Sequence, residues 1–255
     1  MKRRKSNPNE LPLFGHLKEL RKVLLIVAYA VAGGAVIGWA LAPMVLSFMT
    51  LPVSDLLEVS LVSLGPLERL MVKLKLSMVI GVIIMAPVIF WQIWSFLLPA
   101  LKRSEKKNIY MAVPWSVVLF LGGAAFCFLV VMPLSLNFFV SMGQEGVATQ
   151  QMYSIKTYVD FVLRFVMAFG LVFQLPLVLL LLMKLGILQP KALIKFRRYA
   201  IFFIVLAAVI ISPTPDLWTL SLMILPMYLL YEVSIWVGVL MLKRKRKKEE
   251  EGASS

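Results

Sequence analysis

The chain has 255 residues, 60% of them hydrophobic, with 27 Lys+Arg against 13 Asp+Glu and a formal net charge of +14. Soluble domains average nearer half apolar, so the excess argues for a membrane protein. The bases fall in blocks between long apolar runs, which is the pattern of orientation in a lipid bilayer and argues against nucleic acid as a partner.

A single cysteine, Cys127, excludes an intrachain disulfide, and with a single histidine, His16, the common zinc-ligand sets cannot form. No Gly-x-x-x-x-Gly-Lys-Ser/Thr element and no nucleophile–base set occurs, so neither a metal, a cofactor nor an enzymatic activity is expected. Any work the chain supports must then come from a partner ATPase or from the membrane potential.

The chain opens with Lys2-Arg3-Arg4-Lys5 and reaches its first apolar run only after Leu13–Lys22. As a helix, that stretch puts Leu13, Leu17, Leu20 and Leu24 on one stripe and Lys18, Glu19 and Lys22 around the other side. It reads as an amphipathic entry segment at the membrane surface, with Glu19 an acid in a basic neighbourhood. Ala40-Leu41-Ala42 mimics a signal-peptidase site. The long pre-apolar region, carrying Glu10 and Glu19, and the length of Val23–Leu46 favour a retained span over a cleaved signal.

An all-α fold of six spans is predicted. The first is 23–47, with Gly33, Gly34 and Gly38 as a small-residue face. A loop from Phe48 to Gly65 follows, and its Val59–Leu64 is apolar enough to pack on the outer helix ends. The second span, 66–98, contains Pro87 and stops at Pro99. The third covers 109–132, ahead of an outer loop at Pro133–Asp160, and the fourth covers 158–185, interrupted at Pro176.

The fifth, 199–212, has about 14 residues, or roughly 21 Å, against a hydrocarbon core of about 30 Å. The sixth, 217–239, follows the turn Pro213-Thr214-Pro215-Asp216 and is divided by Pro226. Residues 1–242 are read as one membrane domain and 243–255 as a charged, disordered cytosolic tail. With this count, 22 of the 27 bases lie on one face, in the N-terminal segment, Lys102–Lys107, Lys184–Arg198 and the tail. The positive-inside rule therefore places both termini in the cytosol.

Polar groups inside the spans are costly and mark helix contacts or cavities. Lys73, Lys75 and Arg164 lie close enough to span ends to snorkel outward. Gln174, midway along the fourth span, either bonds a neighbouring backbone or marks a functional cavity. Glu232, deeper in the sixth, calls for a defined partner. On the cytosolic face, Glu19 and Glu105 are either neutralised by nearby lysines or act as receptors for a cation, with arginine the best fit to a carboxylate.

Several stretches together resemble one family. His16-Leu17-Lys18-Glu19-Leu20-Arg21 before the first span is similar to the N-terminal signature of TatC, the six-span subunit of twin-arginine translocases. Pro66-Leu67-Glu68, Ala86-Pro87-Val88-Ile89-Phe90-Trp91-Gln92-Ile93-Trp94-Ser95-Phe96, and Pro99-Ala100-Leu101 followed by Glu105 match in the same order. So do Met167-Ala168-Phe169-Gly170, Phe173-Gln174-Leu175-Pro176, Ser212-Pro213 with Asp216, and Leu230-Tyr231-Glu232.

The resemblance implies a cupped helical receptor for the signal peptides of folded precursor proteins, working in the cytoplasmic membrane of a prokaryote. It implies that Glu19 and Glu105 recognise the arginine pair, with Arg21, Phe96, His16 and Leu20 at neighbouring functional positions. Gln174 stands at the family's intramembrane polar position, where many members carry glutamate, which leaves a neutral hydrogen-bonding role. TatA- and TatB-type single-span partners would dock near Ser212, Pro213, Asp216 and Thr219. Leu220 replaces a glutamine common in the family, which puts that polar contact in question. Self-association in a larger complex and drive by the proton-motive force are also implied. A small-solute secondary transporter is the alternative from another class, on the strength of the broken helices. A scaffold with dispensable carboxylates is a third reading.

Overall fold

The structure, a computed structural model, describes residues 11–57, 60–97, 106–143, 152–212 and 216–253. The first helix, α1 (Leu11–Leu57), runs for 47 residues without interruption. The amphipathic entry segment and the first span are therefore one element, and the loop predicted from Phe48 begins only after Leu57. Hydropathy marks where a chain meets lipid, whereas a helix ends where its i→i−4 hydrogen bonds end, and the two borders need not coincide.

The second helix, α2 (Glu68–Leu97), carries Pro87 inside it, as the sequence indicates. It meets α1 along a seam of small residues: a Cβ on Gly34 would lie 2.7 Å from the Gly81 carbonyl oxygen, and one on Gly38 would overlap the Ser77 carbonyl. Such contacts require backbones in near-direct apposition.

The third span differs from its predicted end at Met132. Helix α3 (Lys106–Phe126) passes into a π-turn at Cys127–Val131 and continues as α4 (Met132–Gly143). In a regular helix the Pro133 ring would press on the carbonyl four residues back and end the helix. Here the π-turn widens the backbone immediately before it, with the Met132 N–H reaching the Cys127 carbonyl, so the helix passes the proline.

Two short strands, β1 (Ser60–Val62) and β2 (Met152–Ser154), pair in parallel with Ser60 opposite Met152. This is the structure adopted by the apolar stretch that the sequence assigns to packing. The fourth span is broken as predicted, into α5 (Ile155–Val172) and α6 (Leu175–Lys184), with Pro176 in the first turn of α6. Proline lacks an N–H, so a first turn is where it fits.

The basic loop after α6 holds a short helix, α7 (Pro190–Lys195), and leads to α8 (Arg197–Ile211). At 15 residues α8 is about 22 Å long. The last helix, α9 (Leu217–Ala253), is not divided at Pro226 as predicted but runs through it, and it continues past the boundary drawn at Lys243 into the tail predicted to be disordered. Lys, Arg and Glu are good helix formers, and a helix already nucleated extends at little cost.

By contact the chain forms two compact units, residues 1–45 with 73–117 and residues 46–72 with 118–255. The first is centred on Ala42, Leu76, Ala86, Phe90 and Trp94. The second is centred on Val159, Phe165, Phe169, Met223 and Ile235. Among the described residues, five helical stretches are long and apolar enough to cross a membrane: Leu17–Thr50, Glu68–Phe96, Met111–Met142, Ile155–Lys184 and Leu217–Met241.

Candidate functional site

The amphipathic entry to α1 keeps its stripe open. Leu17 and Leu24 are each 60% exposed, Leu20 is 37% exposed, and Glu19 and Arg21 are also exposed on the same segment. The stripe and the carboxylate lie at the N-terminal end of the apolar stretch Leu17–Thr50. The side chain of His16, all of Glu105 and Pro213 lie outside the described residues.

Phe96, at the end of α2, is half-buried. Two residues earlier the indole N–H of buried Trp94 donates to the Ser116 hydroxyl of α3 at 2.8 Å, fixing this end of α2. Aromatic N–H groups buried in apolar surroundings need such a partner.

Gln174 sits at the break between α5 and α6. Its backbone N–H bonds to the Leu171 carbonyl at 3.0 Å, and its side-chain amide reaches the Gly170 carbonyl at 3.5 Å. Beside the break, a groove of about 710 Å³ runs between α5, α8 and α9, lined among others by Leu171, Leu175, Phe203 and Met227, with Arg164 as its cation.

At the other end of α8, Glu232 of α9 has two partners. The Arg197 guanidinium lies 2.8 Å from one carboxylate oxygen, and the Tyr228 hydroxyl donates to the other at 2.9 Å. Tyr231 adds a hydroxyl bond to the Leu193 carbonyl of α7 at 2.9 Å. Tyr228 lies one helical turn before Glu232, a spacing legible in sequence. Arg197 is a partner that the sequence reading does not single out.

Asp216 starts α9 as its N-cap, its carboxylate accepting the Thr219 N–H at 2.7 Å. Thr219 is fully buried, and among the described residues its hydroxyl has no hydrogen-bond partner. It faces inward, so it offers no surface to an outside helix. Ser212 and Asp216 are half-buried at the turn.

Sequence reasoning also passes over what Glu68 does. Its carboxylate accepts backbone N–H bonds from Leu64 at 2.5 Å, Gly65 at 3.3 Å and Lys156 at 3.2 Å, and a hydroxyl bond from Ser154. It clasps the loop before α2 to the start of α5, across 86 residues of sequence. Its place in Pro66-Leu67-Glu68 is the sole signal, because the partners are mostly backbone.

These helices and polar contacts define a multi-pass α-helical membrane protein. The family model for the Sec-independent protein translocase protein TatC matches residues 15–226. The TatC protein of Carboxydothermus hydrogenoformans is 37% identical over 228 residues, which cover 89% of this chain and 93% of that protein. The TatC protein of Aquifex aeolicus is 38% identical over 237 residues, 92% of this chain and 98% of that one. A crystal structure of the twin-arginine translocase receptor TatC superposes with a TM-score of 0.79 at 38% identity, covering 88% of this chain and 98% of that one. The chain belongs to the TatC family and is a non-enzymatic component of a Sec-independent protein translocase.

Proposed function

We propose that this chain is the signal-peptide receptor of its translocase, lying in the cytoplasmic membrane of a prokaryote with both termini in the cytosol. The observation that carries this reading is the similarity, over nearly the whole chain, to a structure described as a twin-arginine translocase receptor. In this reading α8 is a sixth, short crossing, which brings 22 of the 27 bases to one face.

Glu19, with Glu105, takes the two arginines of the signal peptide. Arg21, Phe96, His16 and Leu20 shape the surface around them, and the exposed stripe Leu17–Leu20–Leu24 meets the apolar residues that follow the arginines. A carboxylate pairs bidentately with a guanidinium, which a lysine cannot reproduce, so the site discriminates arginine from lysine. Gln174, at the break between α5 and α6, serves as an intramembrane polar group that offers hydrogen bonds without charge.

Single-span TatA- and TatB-type partners dock along α8, whose Phe202, Phe203, Val209 and Ile210 are exposed, next to Ser212, Pro213 and Asp216. The buried Thr219 supports that docking through the turn and not by direct contact. A short α8 thins the bilayer beside it or is covered by the partner. Several copies assemble in the working complex, and the proton-motive force drives transport. The small-solute transporter reading is not favoured, since the family is a protein translocase.

Site-specific photocrosslinking of a twin-arginine precursor to membranes tests the reading. Glu105→Gln weakens the crosslink at least several-fold while co-purification of the single-span partners stays intact. Glu19→Gln with Glu105→Gln abolishes it. Wild-type crosslinking by the double variant sinks the assignment.

A further inference from the structure

A recess of about 420 Å³ opens between α6, α7 and α9. The apolar stretch through α5 and α6 ends at Lys184, and that of α9 ends at Met241. The recess lies across both limits, with Met183 and Val239 on one side and Lys191 and Lys243 on the other. It therefore sits at the depth where hydrocarbon gives way to headgroups.

Its walls are fixed by specific backbone features. Gly186 has φ of 76°, and the bonds from the Gly186 N–H to the Met183 carbonyl at 3.1 Å and from the Ile187 N–H to the Leu182 carbonyl at 3.0 Å close the end of α6. Across from it, Gly238 lets the Met183 thioether lie directly on α9, because a Cβ there would overlap the sulfur. The apolar floor is thus held by two glycines, Gly186 in the turn after α6 and Gly238 on α9.

Lys191 and Lys243 come from different elements and are both exposed. Among the described residues neither forms an ion pair, while Glu232 is engaged by Arg197. Among the described residues no acid lines the recess. Two ammonium groups above an apolar floor, at headgroup depth, match a phosphate that carries hydrocarbon chains.

We propose that this recess binds an anionic phospholipid, with Lys191 and Lys243 holding the phosphate and the acyl chains running down over Met183 and Val239. Gln189 lies at the rim, within the same lining, and suits the hydroxyls of a glycerol headgroup. The bound lipid ties α7 to the Val239–Lys243 stretch of α9. This needs only that the chain spans a membrane, so it stands or falls separately from signal-peptide recognition.

The test uses the full chain purified in detergent and titrated with dioleoyl phosphatidylglycerol, with bound lipid counted by native mass spectrometry. Lys191→Gln with Lys243→Gln weakens binding roughly 30-fold, as expected for two bases near the headgroup layer. Lys184→Gln with Lys195→Gln removes the same charge outside the recess and leaves binding within about threefold of wild type, a difference too small for a direct contact. Leu188→Trp keeps both lysines but fills the apolar half, and it also loses the lipid. Equal losses in the two double variants would mean diffuse surface charge and overturn the proposal. So would undiminished binding by both Lys191→Gln/Lys243→Gln and Leu188→Trp, displacement of the lipid by millimolar inorganic phosphate, or equal binding of dioleoyl phosphatidylcholine.

Discussion

The pairs α1/α2 and α8/α9 solve the same problem differently. Lipid chains are as apolar as leucine, so helices in a membrane are not driven together by the hydrophobic effect and need other contacts. Helices α1 and α2 are long, and they meet backbone to backbone through Gly34, Gly38, Ser77 and Gly81. Helix α8 has only 15 residues along which to pack, and its contact with α9 is supplemented by the ion pair of Arg197 with Glu232, a carboxylate that Tyr228 of α9 also holds. A long seam distributes dispersion over many atoms, whereas a short one relies on a few strong, directional groups. The difference predicts a brittle steric contact in the first pair and a softer, charge-dependent one in the second.

The strongest way to break this contrast is Gly38→Val. The added side chain has the Ser77 backbone in its way and no flexible group to displace, so a loss of roughly 3 kcal/mol, the upper end of overpacking costs, is expected. Reversible unfolding in mixed micelles measures it, and a change below about 1 kcal/mol would mean that the seam yields as a softer contact does.

A double-mutant cycle on Arg197→Gln and Glu232→Gln sharpens the other side. The guanidinium side chain is 44% exposed and the carboxylate 19%, so solvent screens the pair and the coupling is about 0.5 kcal/mol. Added salt reduces the coupling. A salt-independent coupling, or none, would remove the ionic lock from the account of α8.

The smallest effect belongs to Gly33→Ala, one residue from Gly34 but with nothing within 4 Å of the place a Cβ would occupy. It shifts stability by no more than a few tenths of a kcal/mol in the same micelles, and toward the folded state, since alanine favours helix over glycine. A large loss at Gly33 would place the α1/α2 seam on a different face of α1.

Much of this protein was determined by the sequence alone. Long apolar runs, basic blocks and prolines gave the membrane class, the break at Pro176 and the shortness of the helix before Ser212, because each follows from local chemistry. Motifs such as His16–Arg21 and Phe173–Pro176 indicated the family. The continuation of α1 to Leu57 and of the third span past Pro133 was not legible, since hydropathy reports the solvent and not the hydrogen-bond ladder, and a π-turn leaves no clear composition signal. Only the tertiary structure decided that Glu68 clasps Ser154 and Lys156, that Arg197 meets Glu232, and that Thr219 points inward. Those contacts join residues far apart in sequence, several through backbone groups that every residue carries, and only folding selects which of them meet.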